Sequence, residues 1–231
     1  MGPYTYLVIN LLTILFPIIL SFDKRVHFIS KVKHLIISII LTAIIFIPWD
    51  IGFTAMGIWR FNKEYNLGIE IVNIPLEEYL FFITIPYACI FIYEFLRSYI
   101  KRDILRGTHF AISGILIIGL AILVINNIQR TYTAIASAFL ILLLLIQIIN
   151  GRKYMGRFYI AYIVCLILFF IVNGILTSLP VIEYKDISNL GIKLGSIPVE
   201  VFIYNAGLLL LVTMGYEWSK RKFFLETKTT T

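Results

Sequence analysis

The sequence predicts an all-α membrane protein, a polytopic helix bundle of about seven spans arranged as a 3+1+3 parallel internal repeat. Of its 231 residues, 60% are hydrophobic and 14% are charged, whereas soluble domains are usually about 45–50% apolar. The charges gather in short clusters between long apolar runs, which is typical of membrane-spanning helices. The two halves of the chain also align at a constant offset of 123 residues, which indicates a repeat.

Seven apolar runs are predicted to cross the membrane. The second run is short for a crossing and the gap between the fourth and fifth is tight, so a six-span arrangement remains an alternative. The seven spans are predicted at residues 3–21, 33–49, 75–97, 110–127, 131–150, 157–178 and 198–219.

Lysine and arginine are distributed unevenly between the two sides of these spans. The segments that follow spans one, three, five and seven hold 15 of the 20 basic residues, and cytoplasmic segments of membrane proteins are enriched in such residues. We therefore expect a multi-pass protein of the cell membrane, with the N-terminus outside and the C-terminus in the cytoplasm. This bias also explains the net charge of +7, so no nucleic-acid partner is expected.

Two short motifs carry the repeat. NLGI occurs at 66–69 and 189–192, and IPxE occurs at 74–77 and 197–200. A single linker span gives both halves the same orientation, so we expect a pseudo-twofold axis along the membrane normal. The predicted units are a three-span repeat at 1–100, a linker span at 101–128, a second three-span repeat at 129–222 and a cytoplasmic tail at 223–231.

The glutamates of the repeated motif admit two interpretations. Glu77 and Glu200 follow Pro75 and Pro198, which we place at the first helical position, and a carboxylate there can cap the helix and interact with its dipole. However, Glu78 adds a carboxylate that capping does not need, and ionisable groups at membrane depth are usually functional. Nearby carboxylates repel each other, which favours retention of a proton. The chemical interpretation is therefore a general acid and base, with the two motif glutamates meeting near the axis.

Two predicted outer loops, at roughly 50–74 and 179–197, are unusually apolar. We expect them to fold back onto the helices and cover a site. Aromatic residues crowd around the first motif. They indicate either an interfacial aromatic belt or a pocket whose ring faces stabilise a carbocation.

Other features of the sequence favour structure over chemistry. Glu94 and Glu217 each have a cation three residues on, Arg97 and Lys220, which predicts interfacial ion pairs. Both cysteines lie inside apolar runs and indicate neither a disulfide nor a metal site. The sequence contains no dinucleotide-binding, Walker or zinc motif. We expect no cofactor and no metal.

Four segments resemble the integral-membrane lycopene cyclases. They are PWDIGFTAMGIWRFN and IPLEEYLFF in the first half, and NGILTSLPV and LGSIPVEVFIYN in the second. These cyclases occur in bacteria and archaea as heterodimers of three-span subunits or as fused chains, and in fungi as one domain of a bifunctional enzyme. The resemblance covers nearly the whole chain, with the two halves fused through the fourth span.

The resemblance implies a lycopene β-cyclase that needs no cofactor. An acid protonates C2 of a ψ-end, the C5=C6 double bond attacks the cation at C1, and a base removes the C6 proton. Repeated at both ends, this reaction makes β-carotene by way of γ-carotene. The motifs carry over Glu77, Glu78, Glu200 and Asp50 as catalytic residues. The implied partners are the lipid-soluble carotenoid and membrane lipid.

This chain departs from the family pattern in its second half. Family members commonly carry a second acid where this chain has Val201, and Asn173 stands opposite Asp50. We therefore expect Glu77 and Glu78 to carry the proton and Glu200 to complete the pair across the axis. The residues expected to contact substrate are Trp49, Phe53, Trp59, Phe61, Phe81 and Asn173.

Alternatives remain at two levels. Within the family, the product could be an ε- or γ-type ring, or the substrate a C50 carotenoid. From another class, a small seven-span transporter could share the repeat, although the fourth and fifth spans lack the polar residues that a transport path needs. The sequence carries no signal for a particular oligomeric state.

Overall fold

The computed structural model describes residues 2–151 and 153–229, and side chains as far as residue 223 except at position 152. Arg152, which was counted among the basic residues of the predicted cytoplasmic side, lies outside the described residues. So do Thr230 and Thr231, the last residues of the predicted tail.

Seven helices form a bundle, as the sequence predicts. In the described part of the chain, six of them are long and apolar enough to cross a membrane, and the first helix, Thr5–Leu20, is apolar but shorter than these six. The protein is therefore an all-α, multi-pass membrane protein, while its orientation stays a prediction. The helices are α1 Thr5–Leu20, α2 Val32–Ala55, α3 Leu76–Tyr99, α4 His109–Asn126, α5 Thr131–Ile149, α6 Met155–Ser178 and α7 Val199–Thr229.

Two helices extend beyond their predicted ends. We predicted that the second span ends at residue 49, but α2 continues past Pro48 to Ala55. Asp50, which we placed in an outer loop, therefore lies inside α2 and is only 2% exposed. Its burial is compensated because the Tyr204 hydroxyl donates a hydrogen bond to its Oδ1 at 2.6 Å. At the other end of the chain, α7 runs to Thr229, so most of the predicted tail is helical.

The packing of the helices intertwines the two halves. Within each half the first helix packs on the third, α1 on α3 and α5 on α7. Between the halves the second helix of each packs against the third helix of the other, α2 on α7 and α6 on α3. Helix α4 packs mainly on α5. Neither half therefore buries its apolar faces by itself.

Short strands close one end of the bundle. Each strand in the first half has a counterpart 123 residues later. One two-stranded ribbon pairs Arg60 with its own counterpart, Glu183, so the local twofold axis passes through that pair. The pairs are β1 Trp59–Phe61 with β4 Ile182–Tyr184, β2 Glu70–Ile71 with β3 Ile74–Pro75, and β5 Lys193–Leu194 with β6 Ile197–Pro198. We call this the ribbon end, residues 58–75 and 181–198. The division into four units with the boundaries given above stays a prediction.

The opposite end of the bundle is held by ion pairs. The expected pairs three residues apart are present, Arg97 with Glu94 at 3.4 Å and Lys220 with Glu217 at 3.5 Å. Shorter contacts run between the third helices of the two halves, Lys220 to Glu94 at 2.7 Å and Arg97 to Glu217 at 2.8 Å. Lys31 also binds Glu94 at 2.6 Å. These five residues form the ion-pair end, and their main effect is to join α3 to α7.

Replacing Glu94 by Gln should lower the melting temperature of the detergent-solubilised protein. The buried Glu94 carboxylate binds two lysines that are partly exposed, so we expect a loss of about 2 kcal/mol, below the ~3–5 of a fully buried pair. That corresponds to roughly 4–8 °C in a chain of this length. The matched control is Glu183→Gln, whose partner Arg60 is 79% exposed; this variant should shift the melting temperature far less. Equal shifts would contradict the assignment.

Candidate active site

A narrow cavity lies beneath the β1–β4 ribbon and between the helices of both halves. Its walls are mostly apolar and aromatic, with two carboxyl groups among them. The lining residues are Asp50, Trp59, Phe61, Glu78, Phe81, Tyr132, Phe169, Asn173, Ile182, Tyr184, Val201, Tyr204, Asn205 and Leu208.

The cavity lies on the pseudo-twofold axis. Ten of the lining residues form five pairs separated by the 123-residue offset: Asp50 with Asn173, Trp59 with Ile182, Phe61 with Tyr184, Glu78 with Val201, and Phe81 with Tyr204. Two equivalent walls therefore face each other across one space. The acids are confined to the first-half wall, because the second half has neutral residues at both of the matching positions.

Asp50 and Glu78 form a buried carboxyl pair. Their side chains, on α2 and α3, are close enough to hydrogen-bond with each other. The Tyr6 hydroxyl donates to Glu78 Oε2 at 2.5 Å, and the Tyr204 hydroxyl donates to Asp50 Oδ1 at 2.6 Å. Among the described residues no lysine or arginine forms a salt bridge with either carboxyl. A hydrogen bond between carboxyl groups requires a proton on one of them, since an ionised carboxylate only accepts. The pair can therefore store one proton.

Tyr184 of the ribbon borders the carboxyl pair. Burial raises the pKa of the Tyr184 hydroxyl, and the charges of Glu78 and Asp50 act in the same direction. The hydroxyl is therefore neutral at physiological pH. The Tyr184 ring stacks on Tyr132, with centroids 6.1 Å apart and planes 5° from parallel. The wall beside the acids thus presents neutral hydroxyls and ring faces.

The aromatic side chains form two layers around the cavity. Trp59 is at the centre of the inner layer, 5.3 Å from Tyr132 and 6.0 Å from Tyr204 between ring centroids. The expected residues Trp59, Phe61, Phe81 and Asn173 line the cavity. Trp49 and Phe53 do not line it but pack behind that layer, 5.4 Å from Tyr204 and 5.1 Å from Trp59 respectively. Ring faces attract a cation within about 6 Å.

Glu77 and Glu200 lie outside the cavity lining. Glu77 Oε1 accepts a hydrogen bond from the backbone N–H of Leu67 at 2.7 Å, and Glu200 Oε1 accepts one from Leu190 at 2.7 Å. Thr133 also donates to Glu200 Oε1 at 2.6 Å. The other oxygen of each carboxyl is buried with no hydrogen-bond partner in the described part of the chain. The structure thus places Asp50 and Glu78 in the cavity lining, whereas Glu77 and Glu200, which we expected to face a common site, bind the loops instead.

The loop before each motif is shaped to reach its glutamate. In the first half Asn66 Oδ1 accepts from the Gly68 N–H at 2.8 Å, and Gly68 has a left-handed φ of +75°. This turn directs the Leu67 N–H toward Glu77. Pro75 has an extended backbone and occupies the N-cap position, before the first helical residue. The helices therefore begin one residue later than predicted, at Leu76 and Val199, and the placement of the prolines at the first helical position is wrong. The carboxyls bind the loops, which is a different role from capping their own helices.

Four tyrosines of the site, Tyr6, Tyr132, Tyr184 and Tyr204, are not among the residues expected from the sequence. Tyr184 and Tyr204 could have been found by adding the 123-residue offset to Phe61 and Phe81. Tyr6 gave no such signal, because the first span aligns with the fifth only weakly and at a different offset.

Comparisons with known proteins agree with one another. A sequence model of the family described as "Lycopene cyclase" matches residues 3–96 and 129–219, which omits α4. A curated protein from Aspergillus niger, described as "Bifunctional lycopene cyclase/phytoene synthase", is 29% identical over 125 residues. That match covers 49% of this chain and 20% of the relative, so the matched region spans about a fifth of the relative's length. No solved structure matches the chain.

Replacing Glu77 by Leu should release the first loop only. The Leu67 amide then loses its acceptor, and a hydrogen bond of about 1.5 kcal/mol or more corresponds to at least a roughly tenfold faster amide exchange. Hydrogen exchange should rise at Leu67 and stay unchanged at Leu190, and Glu200→Leu should give the reverse.

Glu78→Gln is the matched control for this exchange experiment. It alters the neighbouring carboxyl but leaves both loop acceptors in place, so neither amide should exchange faster. If Leu67 exchanged at the parent rate in Glu77→Leu, the loop would be held by other contacts.

Proposed function

The chain belongs to the lycopene cyclase family, and on that premise we propose that it converts the ψ-ends of lycopene to β-rings, by way of γ-carotene to β-carotene. The observation that carries the proposal is the buried Asp50–Glu78 pair, which faces an aromatic-lined cavity. Ring closure through a carbocation needs a proton donor, a proton acceptor and dry surroundings that tolerate positive charge. This cavity has residues suited to each task.

The first step is protonation of the substrate. The proton shared by Asp50 and Glu78 passes to C2, which leaves a cation at C1. Tyr6 and Tyr204 each donate a hydrogen bond to one of these carboxyls, so they stabilise the negative charge that the pair gains as it releases the proton. The C5=C6 electrons then form the C1–C6 bond and move the positive charge to C5.

The second step returns the proton to the same pair. C2 and C6 are both bonded to C1 in the product, so adjoining carboxyl oxygens can serve both carbons. Loss of the C6 proton restores a double bond between C5 and C6 and gives the β-ring. The carboxyl pair ends as it began, which agrees with a reaction that has no redox change. An ε- or γ-type ring would need a base directed at a different carbon.

The ribbon end supports this chemistry by excluding water. Water that reached the cation would add to it and compete with ring closure. The β1–β4 ribbon forms part of the cavity wall, and Glu77 and Glu200 fasten the adjoining loops through Leu67 and Leu190. We therefore assign Glu77 and Glu200 to positioning, and the proton transfers to Glu78 and Asp50.

The asymmetry of the site predicts that one end of the substrate reacts at a time. The second-half wall has Val201 and Asn173 in place of the acids, so only one acid pair faces the cavity. A substrate with two ψ-ends must then turn or rebind between the two rounds.

Expression in cells that accumulate lycopene should convert the linear pigment to β-carotene. Glu78→Gln and Asp50→Asn should each lower the rate at least about 100-fold, because each removes a group that carries the proton. Chromatography of the pigments provides the measurement, and it separates β-rings from ε- or γ-type rings and C40 from C50 products.

Glu77→Gln is the matched control, since its amide oxygen can still accept the Leu67 N–H. It should retain clearly more activity than Glu78→Gln at the same amount of protein in the membrane. If the parent protein leaves lycopene linear, the proposed function is wrong. If Glu78→Gln stays active while Glu77→Gln does not, only the assignment of the acids is wrong.

The one-ringed intermediate should accumulate transiently in a time course with purified protein and lycopene. Because a single acid pair serves both ends, γ-carotene should appear first and decline as β-carotene forms. Formation of the two-ringed product with no detectable intermediate would contradict a single site that releases its substrate between rounds.

A further inference from the structure

A second, wider cleft opens at the opposite side of the molecule from the ribbon. Its volume is about 790 Å³, which is within the usual range of about 300–1,000 Å³ for small-molecule sites. It adjoins the ion-pair end, between the end of α3 and the start of α6. The lining residues are Tyr93, Arg97, Lys101, Arg102, Asp103, Arg106, Gly151, Lys153, Tyr154, Arg157, Glu217 and Arg221.

The cleft has a large excess of positive charge. Seven of its lining residues are cationic and two are acidic. Both acids already have partners: Glu217 binds Arg97 at 2.8 Å, and Asp103 Oδ1 accepts from the Leu105 N–H at 3.2 Å. In the described part of the chain no salt bridge involves the other six cations, Lys101, Arg102, Arg106, Lys153, Arg157 and Arg221.

Arg157 adds a buried donor to this surface. One of its terminal nitrogens donates to the Lys101 carbonyl oxygen at 3.2 Å. Its Nε is buried and has no hydrogen-bond partner among the described residues. A bound anion would supply an acceptor in the cleft and would offset the mutual repulsion of the cations.

The orientation signal of membrane proteins does not explain this arrangement. That signal requires only that basic residues lie on one side of the bilayer. Exposed residues outside the cleft, such as Lys24 and Arg25, meet this requirement equally well. They lie at the same end, because Lys31 of the same loop binds Glu94. Orientation sets no requirement for seven cations to converge on one concave surface.

We propose that this cleft binds the phosphate group of an anionic ligand, with an anionic phospholipid of the surrounding bilayer as its source. Guanidinium and ammonium groups are well suited to phosphate oxygens, and basic pockets at the ends of membrane helices suit lipid headgroups. Exposed apolar side chains lie close in the chain to lining residues: Ile104 follows Asp103 and is 69% exposed, and Ile149, two residues before Gly151, is 80% exposed. A charged surface flanked by exposed isoleucines matches a ligand with a charged head and apolar chains. The proposal does not depend on the cyclase reaction.

The test measures the melting temperature of the purified full-length protein in detergent during titration with phosphatidylglycerol, phosphatidylcholine or inorganic diphosphate. A ligand that binds only the folded protein raises the melting temperature by an amount that grows with the logarithm of its concentration relative to its dissociation constant. Phosphatidylglycerol should stabilise the protein and phosphatidylcholine should not. The double variant Arg102→Gln/Arg106→Gln should weaken binding about tenfold or more, since each basic residue near an anionic lipid surface contributes about 1 kcal/mol.

The matched control is Lys24→Gln/Arg25→Gln, which removes the same charge from exposed positions of the same end. It should change the affinity less than twofold. Stabilisation by diphosphate as well, lost in the cleft variant alone, would support recognition of the phosphate group. Stabilisation by diphosphate but not by phosphatidylglycerol would overturn the phospholipid as its source. The proposal is overturned if neither phosphatidylglycerol nor diphosphate stabilises the protein, or if the two double variants bind equally well.

Discussion

The contact between two buried carboxyl groups, Asp50 and Glu78, is the constraint on which the site beneath the ribbon end depends. Their side chains are close enough to hydrogen-bond with each other, and neither forms a salt bridge with a lysine or arginine among the described residues. A charge at such a site is costly, so any negative charge that forms on the two carboxyls must be stabilised by neighbouring groups. Two tyrosine hydroxyls, from α1 and α7, perform that task. The bundle must therefore bring four helices together at one point, and the intertwined packing of the halves does so.

The two ends of the bundle handle acids in opposite ways. At the ion-pair end, Glu94 and Glu217 contact lysine and arginine at 2.6–2.8 Å, so their charges are compensated and the contacts join α3 to α7. At the ribbon end, the buried carboxyls contact hydroxyls, backbone N–H groups and each other. Fixed ion pairs hold a structure together, whereas a carboxyl without a cation can exchange a proton. Helix α3 takes part in both arrangements, with Glu94 in the ion pairs at one end and Glu78 beside Asp50 at the other.

Residues that are equivalent in the two halves and residues that differ between them have separate consequences for the site. The 123-residue repeat places equivalent walls around one cavity and lets the ribbon cross the axis at Arg60 and Glu183. The repeated glutamates, Glu77 and Glu200, keep the same contact with a loop amide in both halves. The acids that differ between the halves, Asp50 and Glu78, are the ones that face the cavity. The contacts with the loops thus follow the repeat, and the proposed proton transfers are assigned to positions where the two halves differ.

Much of the fold was determined by the sequence alone, because apolar runs, charge clusters and a constant offset are local patterns. They predicted the seven helices and the ion pairs three residues apart, and they singled out Asp50, Glu77 and Glu78, of which only Asp50 and Glu78 line the cavity. Only the tertiary structure decided which acids meet. Glu77 and Glu78 are neighbours in the chain but point about 100° apart around a helix, so one fastens a loop and the other faces the cavity. Asp50 reaches Glu78 only because α2 continues past Pro48, and a sequence pattern cannot show that a buried tyrosine from α7 compensates that burial.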